Sequence, residues 1–274
     1  MGFFVCREEE RCIREQWLSQ LSLVGKRLRE GGVPAAGARE WSRTPHHEQG
    51  ENIMSWQSIE PLLKKIRIEA NPDNHPVSVV SVPPPLTVVG TGTDAVVVRY
   101  PDFPRLAFKV YAEGRSQSRE NEYAAYRRLG RSPYFPVCYG KGSFYLVLSY
   151  EEGPTLYDCL VKGIPIPEQA IDDVEKARDY ARRAGLNPRD IHLKNVLLQQ
   201  GRAKLLDVSE YVKPGNDGRW DHLVQAYRKF YPLIAGRKIP VWLIEVVKKT
   251  YYRQVAGDFS VSDFGRRFLP FIKK

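Results

Sequence analysis

The stretch NPRDIHLKNVLL, residues 187–198, gathers an arginine, an aspartate, a histidine, a lysine and an asparagine within residues 189–195 before it turns apolar. Buried strands avoid such groups unless each one has a partner. The segment is therefore either a solvated turn that precedes a strand, or a functional site. What the rest of the chain places around it decides between these two interpretations.

The composition indicates a globular protein. The chain has 274 residues, of which 42% are hydrophobic, and this length predicts one or two domains with an ample core. Cys6, Cys12, Cys138 and Cys159 form neither a C-x-x-C pair nor a disulfide-rich pattern, which is typical of thiols in a reducing cytosol. The first apolar run is too short for a signal peptide, and no run reaches the length of a membrane span. We therefore expect a soluble, cytoplasmic protein.

The net charge of +10 is concentrated near the C-terminal end. Residues 222–274 carry 11 basic and 3 acidic side chains, whereas residues 1–53 carry 8 of each. A basic end of this kind could attract an acidic protein, nucleic acid or anionic lipid. Solvated helix faces are the plainer interpretation, because no aromatic–basic RNA motif accompanies the charge.

The chain divides near Met54. Residues 1–53 end in a Gly-, Pro- and polar-rich stretch of linker composition, so we expect an N-terminal extension that is flexible or an artefact of the choice of start codon. Residues 54–83 are expected to form an N-terminal helix and a lead-in. A folded domain follows over residues 84–274.

Within that domain the hydrophobic pattern of the sequence changes from strand-like to helical. β-Branched runs broken by turn signals occur up to about residue 112, and helical periodicity dominates after residue 118. Two further strand segments, SFYLVLSY and NVLLQQGRAKLLDV, lie among the helices. This pattern predicts an α+β fold with two lobes, a β-rich lobe over about residues 84–150 and a short helical lobe over about 151–274.

Two features of the β-rich part indicate chemistry. Gly90 and Gly92 lie between two β-runs, where a hairpin can expose backbone N–H groups to phosphate, although a Gly-Thr-Gly hairpin alone is a weak signal. Lys109 lies inside the apolar strand LAFKVY and needs a counter-charge. Glu122 lies beside the inward-facing stripe of the next helix and is the first choice, with Glu120 second.

With these elements in order, residues 84–250 resemble a protein kinase. GTGTDAVV resembles the kinase Gly-rich loop with Ala95 in place of the third glycine, LAFK resembles V-A-I-K, and LVLSYEEGPTL resembles the hinge. The resemblance implies an ATP site formed by these segments: Gly90, Thr91, Gly92, Ala95, Val97, Ala107, Lys109, Leu148, Ser149 and Glu151.

The opening stretch resembles the kinase catalytic loop. In PRDIHLKN, Asp190 and Asn195 keep the five-residue step of H-R-D-L-x-x-x-N, and LLDVSEY resembles the strand that leads into D-F-G. The resemblance implies that Asp190 acts on the proton of the acceptor hydroxyl and that Asn195 and Asp207 hold Mg²⁺. It also implies that Lys109 binds the phosphates of ATP with Glu122 as its partner.

The resemblance also implies roles for two further residues of the loop, Arg189 and His192. Arg189 is expected to brace the loop. His192 stands where many protein kinases carry a phosphate-facing lysine, and a histidine there resembles the loop of lipopolysaccharide, choline and aminoglycoside kinases. A literal SDFG at 262–265 lies too close to the C-terminal end to hold a metal, so it is interpreted as a helix boundary capped by Gly265.

The departures from the family pattern are specific. Pro188 replaces the histidine of H-R-D, and Val208 and Ser209 replace Phe and Gly after Asp207. Only 13 residues separate Asp207 from Asp221, whose helix is the candidate anchor of the catalytic loop. This shortening resembles Rio-type kinases, tRNA-modification-complex kinases and small bacterial serine/threonine kinases.

The sequence predicts an enzyme, a serine/threonine protein kinase that uses ATP and Mg²⁺ on an unnamed protein substrate. Two alternatives stay open. A small-molecule kinase is favoured by His192 and by the missing peptide platform, and a catalytically weak ATP-binding regulator is favoured by Pro188 and Ser209. The fold alone does not decide among them.

Overall fold

The computed structural model describes residues 55–72, 75–255 and 259–272. These belong to the unit that covers residues 54–274. The expectations for residues 1–53 lie outside the described residues.

The strands form where the sequence has β-branched and aromatic runs bounded by turns. Their bounds are β1 (Arg67–Glu69), β2 (Ser78–Ser81), β3 (Thr87–Thr91), β4 (Ala95–Arg99), β5 (Leu106–Tyr111), β6 (Cys138–Lys141), β7 (Tyr145–Ser149), β8 (Val196–Gln199) and β9 (Arg202–Leu205). Five of them form an antiparallel sheet in the order β3-β4-β5-β7-β6, while β1-β2 and β8-β9 are two-stranded sheets.

The register of the five-stranded sheet separates two faces. Val97 on β4 is opposite Lys109 on β5, and Lys109 is opposite Leu146 on β7. Because directly paired residues point to the same side of a sheet, these side chains share one face. The other face is a buried apolar layer with side chains of the lead-in: Ile59, Leu63, Val96, Val98, Phe108, Val110, Tyr145 and Val147. One face of the sheet is therefore filled by packing, and the other faces the second lobe.

The helices follow the predicted periodicity. Their bounds are α1 (Glu60–Leu63), α2 (Ser116–Leu129), α3 (Leu156–Lys162), α4 (Glu168–Arg183), α5 (Arg219–Phe230), α6 (Val241–Gln254), α7 (Val261–Arg266) and α8 (Leu269–Ile272), with 3₁₀ turns at Trp56–Ile59 and Tyr231–Leu233. A β-rich lobe thus precedes a helical lobe, and the predicted two-lobed α+β fold is confirmed. Among the described residues, no helix has the length and apolar character needed to cross a membrane.

Helix α2 is bonded to the helical lobe at its C-terminal end. The hydroxyl of Tyr126 donates to the carbonyl oxygen of Leu206 at 2.6 Å, just after β9. The hydroxyl of Tyr180, on α4, donates to the carbonyl oxygen of Leu129 at 2.7 Å. The helix that carries Glu122 therefore connects the sheet to the second lobe.

The SDFG segment forms a helix, but its glycine is not a cap. The hydroxyl of Ser260 accepts a hydrogen bond from the amide of Asp263 at 3.2 Å and so caps the N-terminus of α7. Gly265 lies within α7, so the prediction that it ends the helix is wrong. A Cβ at this position would lie 2.1 Å from the ring of Phe230, at the end of α5. Close packing between helices, not chain termination, explains this glycine.

Candidate active site

Lys109 lies between two carboxylates. Its Nζ is 2.6 Å from Oε2 of Glu122 and 3.1 Å from Oδ2 of Asp207. Burial disfavours the charged amine, but the charges of Asp207 and Glu122 outweigh it and raise the pKa of Lys109 above its ordinary value. The contact with Glu122 that the sequence predicts is present, and Lys109 is held as a cation.

Glu122 is fully buried, and α2 presents it to the sheet. Its Oε2 also accepts a hydrogen bond from the hydroxyl of Tyr111 at 2.5 Å. Burial raises the pKa of Glu122 to about 7 against the opposing effect of Lys109. The second choice, Glu120, is exposed and pairs with Lys141 at 2.5 Å, so it has no part in the cluster.

Tyr111 was missed by the sequence analysis. It lies two positions after Lys109 on the same strand, so both side chains point to the same face of the sheet. Strand periodicity was therefore the signal that could have identified it.

Asp207 lies two residues after the end of β9 and contacts Lys109. Its Oδ1 accepts the amide hydrogen of Ser209 at 3.0 Å. Although burial opposes ionisation, the charge of Lys109 and the Ser209 hydrogen bond lower the pKa of Asp207 to about 2. The carboxylate is thus available as an anionic ligand across the physiological pH range.

Asn195 is placed next to Asp207 by the backbone. The amide of Leu206 donates to the carbonyl oxygen of Asn195 at 2.9 Å. The side-chain Nδ2 of Asn195 donates to the carbonyl oxygen of Asp190 at 3.2 Å, which leaves Oδ1 as a possible ligand atom. In the part of the chain that the structure describes, no three His, Cys, Asp or Glu side chains could hold a metal by themselves. One carboxylate and one amide oxygen fit Mg²⁺, which protein sites usually bind together with substrate phosphates and water.

Asp190 has an unusual backbone conformation that its neighbours fix. Its φ angle is 57°, in the left-handed region that a residue with a Cβ rarely adopts. Its amide donates to Oδ2 of Asp217 at 2.9 Å, and its Oδ1 contacts Nη1 of Arg219. Burial raises the pKa of Asp190 to about 6, while the charge of Arg219 opposes this and that of Asp207 adds to it.

The loop that contains Asp190 contacts the start of α5, through Asp217 just before the helix and Arg219 in its first turn, and not through Asp221. Asp221, on α5, instead forms an ion pair at 2.9 Å with Arg178 of α4. On the other side of the loop, Nη1 of Arg189 donates to the carbonyl oxygen of Pro214. This contact is compatible with the bracing role expected for Arg189, and that role stays a prediction.

His192 is half-buried and uncharged at neutral pH. Burial lowers its pKa to about 4, and the charges of Arg219, Lys248 and Lys194 act in the same direction against that of Asp207. Its Nδ1 lies 3.3 Å from the amide nitrogen of Lys194 and accepts its hydrogen. A neutral imidazole offers phosphate a hydrogen bond but no positive charge, so His192 is not equivalent to a lysine.

The Gly-rich segment is a tight hairpin between β3 and β4. The amide of Gly92 donates to the carbonyl oxygen of Ala95 at 2.8 Å and closes the turn. Gly90 is paired with Val97, and a Cβ on Gly90 would come no closer than 3.8 Å to that side chain. A Cβ on Gly90 would therefore make ordinary van der Waals contact with Val97, so packing among the described residues does not itself require a glycine here.

The hinge segment is tied to both lobes. Leu148 is directly opposite Ala107 in the sheet, and the amide of Ser149 donates to the carbonyl oxygen of Val137 at 2.8 Å. The carboxylate of Glu151 forms an ion pair with Lys204 of β9 at 2.8 Å. The side chain of Glu151 is therefore engaged with the second lobe.

Lys109 is half-buried between two carboxylates, and Asp190 and Asn195 are also placed at this junction of the two lobes. Such a set of groups defines a kinase-like phosphotransferase. Over 169 residues the chain is 36% identical to the "Putative serine/threonine-protein kinase YrzF" of Bacillus subtilis (strain 168), an alignment that covers 61% of this chain and 79% of the relative. The chain belongs to the protein-kinase-like superfamily. No family model matches it.

Two solved structures are similar to the chain. Both are kinase domains of PknI from Mycobacterium tuberculosis, one of them a point mutant. The mutant is 22% identical with a TM-score of 0.40, covering 56% of this chain and 74% of that one. The other is 23% identical with a TM-score of 0.38, covering 56% and 73%.

Proposed function

We propose that the chain is a serine/threonine protein kinase that transfers the γ-phosphate of Mg-ATP to a hydroxyl of a protein. The observation that carries this proposal is the contact of Lys109 with both Glu122 and Asp207. Phosphoryl transfer depends on positioning and charge neutralisation, and such a cluster supplies a fixed cation and a fixed anion side by side. The name of the Bacillus subtilis relative supports the same acceptor class.

In this proposal the charged groups bind the nucleotide. Lys109 binds the α- and β-phosphates, and Glu122 holds its ammonium group in place. Oδ1 of Asn195 and the carboxylate of Asp207 would hold Mg²⁺, which neutralises phosphate charge when bound. The remaining ATP contacts come from the hairpin, the face of the sheet and the hinge: Gly90, Thr91, Gly92, Ala95, Val97, Ala107, Leu148, Ser149 and Glu151.

Asp190 serves the acceptor. Its carboxylate accepts the proton of the hydroxyl while the hydroxyl oxygen forms a bond to the γ-phosphorus. The bond between that phosphorus and the bridging oxygen breaks, and ADP leaves with the electron pair. Burial places the pKa of Asp190 at about 6, close enough to neutrality for a group that exchanges a proton. Arg189 and His192 border this step, as brace and as hydrogen-bond partner.

The domain organisation is part of the proposal. Residues 84–274 form the kinase-like domain, with lobes at about 84–150 and 151–274, and residues 54–83 lead into it. Ile59 and Leu63 of the lead-in share the buried layer under the sheet. An extension over residues 1–53, a cytoplasmic location and an acidic or nucleic-acid partner for the basic end stay predictions from the sequence.

A small-molecule acceptor is the second candidate. Only residues 208–218 lie between Asp207 and the start of α5, which leaves little chain for a platform that binds peptides. The uncharged His192 next to Asp190 also differs from the lysine of protein kinases.

One experiment separates these functions. The full chain is incubated with γ-labelled ATP and Mg²⁺, together with serine- and threonine-containing proteins in one arm and hydroxylated small molecules in another. Mg²⁺-dependent label on protein serine or threonine is the expected result. Label only on a small molecule would replace the proposal by the second candidate. ATP binding without transfer to any acceptor would contradict both and leave a nucleotide-binding regulator.

A further inference from the structure

The proposed catalytic base, Asp190, forms a closed ring of contacts with two other residues, Asp217 and Arg219. The amide of Asp190 donates to Oδ2 of Asp217 at 2.9 Å, and Oδ1 of Asp217 accepts the amide hydrogen of Arg219 at 3.1 Å. The ring closes where Nη1 of Arg219 contacts Oδ1 of Asp190. Backbone and side chain of Asp190 are thus held by two different partners.

The backbone half of the ring stabilises a strained residue. A φ near 57° is unfavourable for a residue with a Cβ, and it persists only where the surrounding structure fixes it. Asp217 supplies that fixation through the Asp190 amide. It does not determine where the carboxylate points, because rotation about χ1 and χ2 remains possible.

The side-chain half of the ring removes that freedom. Arg219 lies at the first turn of α5, its guanidinium is 5.5 Å from the centre of the Tyr252 ring, and its Nε is 3.6 Å from Oδ2 of Asp217. A planar guanidinium held on two sides presents its remaining N–H groups in one direction. It contacts Oδ1 of Asp190, and none of the described residues forms a hydrogen bond with Oδ2.

We propose that Arg219 is a positioning residue for the transfer step: it binds Oδ1 of Asp190 so that Oδ2 is left to accept the proton of the acceptor hydroxyl. This inference rests on the proposed function. Asp190 and Arg219 side chains are 34% and 30% exposed, so both are accessible to an acceptor that approaches from solvent. The role belongs to the acceptor step, because Arg219 contacts neither Lys109 nor the candidate metal ligands.

The test compares Arg219→Gln and Arg219→Lys with a matched control. Arg182→Gln removes the arginine of an exposed Arg–Asp pair on α4, where Nη1 lies 2.7 Å from Oδ1 of Asp179 and neither residue belongs to the ring. For each protein the thermal midpoint, the Mg²⁺-dependent affinity for ATP, and kcat and KM for the acceptor are measured. The thermal midpoint establishes that each variant is folded.

If the loss of Arg219 leaves the Asp190 carboxylate wrongly oriented, the kinetics of the variants should show a specific pattern. Arg219→Gln should lower kcat by about 10–10²-fold with ATP affinity unchanged, since loss of orientation by about an ångström has effects of that size. Arg219→Lys, which keeps a charge but not the planar fork, should retain part of the rate, and Arg182→Gln should match the wild type. If Arg219→Gln does not fold, the comparison of Arg219→Lys with the wild type is decisive.

A double variant distinguishes positioning from a general structural role. In an Asp190→Asn background, Arg219→Gln should lower kcat no further, because the residue acts through Asp190. An additional loss in that background, an unchanged kcat in Arg219→Gln, or a higher kcat from removal of an inhibitory contact would each overturn the inference while the kinase function stands. A wild-type chain that transfers no phosphate would overturn the proposed function and the inference with it.

Discussion

The Nζ atom of Lys109 lies 3.1 Å from Oδ2 of Asp207, although 98 positions of the chain separate the two residues. The contact joins the central strand of the sheet to the segment that follows β9. It raises the pKa of Lys109 and contributes to lowering that of Asp207, so each group holds the other in its charged form. The proposed phosphate-binding cation and the proposed metal ligand therefore belong to one charge cluster.

Lys109→Met should abolish most of the transfer activity, because it removes the cation and leaves Glu122 buried without a charge partner. We expect a loss of about 10²–10³-fold in kcat, the size typical for one preorganised electrostatic group, together with weaker ATP binding. Lys141→Met is the control in the same lobe, since Lys141 pairs with the exposed Glu120. Steady-state kinetics and ATP titration measure both, and equal behaviour of the two variants would remove Lys109 from the site.

Glu122→Gln should lower activity, whereas Glu120→Gln should not. The first change removes one of the two carboxylates that contact Lys109 and the charged acceptor of the Tyr111 hydroxyl, and the second changes only a solvent-exposed pair. Such an exposed pair contributes about 0–1 kcal/mol to the free energy of unfolding. Activity and thermal midpoint are compared side by side, and a loss confined to Glu120→Gln would reverse the assignment.

Asp190→Asn and Asp207→Asn should have different effects on ATP binding and on phosphate transfer. The first should keep Mg²⁺-dependent ATP affinity and lower transfer by about 10²–10⁴-fold, since it removes a base but no metal ligand. The second should weaken the metal-dependent part of ATP binding itself. ATP titration with and without Mg²⁺, followed by a transfer assay, measures both effects.

Asp263→Asn is the control for that pair, because Asp263 belongs to the literal SDFG and is exposed on α7. It should leave both ATP affinity and transfer at the wild-type level. Metal-dependent loss in Asp263→Asn, with Asp207→Asn unaffected, would show that the second half of the chain is wrongly aligned with the kinase pattern.

Asp173→Asn should destabilise the helical lobe in a pH-dependent manner. The buried carboxylate accepts from Nε of Arg202 at 2.6 Å, Nη2 at 2.9 Å and the amide of Ala203 at 3.1 Å. Burial alone would raise the pKa of Asp173, but the hydrogen bonds from Arg202 and Ala203 outweigh burial and lower the pKa below its ordinary value. At neutral pH the free energy of unfolding should fall by about 1.5–3 kcal/mol, as for hydrogen bonds to a charged group.

The sign of the pH effect follows from the lowered pKa of Asp173. Its stabilisation is fully present above the pKa of the unfolded chain, about 4, and is lost as the pH falls through the lower pKa of the folded protein. The difference between wild type and Asp173→Asn in urea unfolding should therefore shrink in acid. Asp179→Asn, on the exposed side of the same helix, should show little difference at any pH.

Much of the fold could be predicted from local pattern. The β-branched runs and helical periodicity predicted the elements around Lys109 and Glu122, and the pairing of these two followed because a lysine in an apolar strand requires a counter-charge. The ring around Asp190 could not be predicted in this way. Asp217 and Arg219 lie in a polar segment, GNDGRWD, where the path of the chain and not any periodicity determines which charges meet.

Gly265 was misassigned for a related reason. Its environment is set by Phe230, which reaches it from another helix. A glycine near the end of a helical pattern predicts a cap from local sequence alone, but the requirement for a small residue here arises from tertiary packing. Such long-range constraints are visible only once the elements have been placed.

Helix α2 also has a mechanical consequence. Its N-terminal half is bonded to the sheet through Lys109 and Lys141, and its last turn is bonded to the helical lobe through the Tyr126 hydroxyl and the Leu129 carbonyl. The helix therefore contacts both lobes, and any movement of the lobes away from each other strains the contacts at both of its ends. Separation of the lobes requires that the contacts at one end of α2 break. The contact between Glu122 and Lys109 and the distance between the lobes therefore depend on each other.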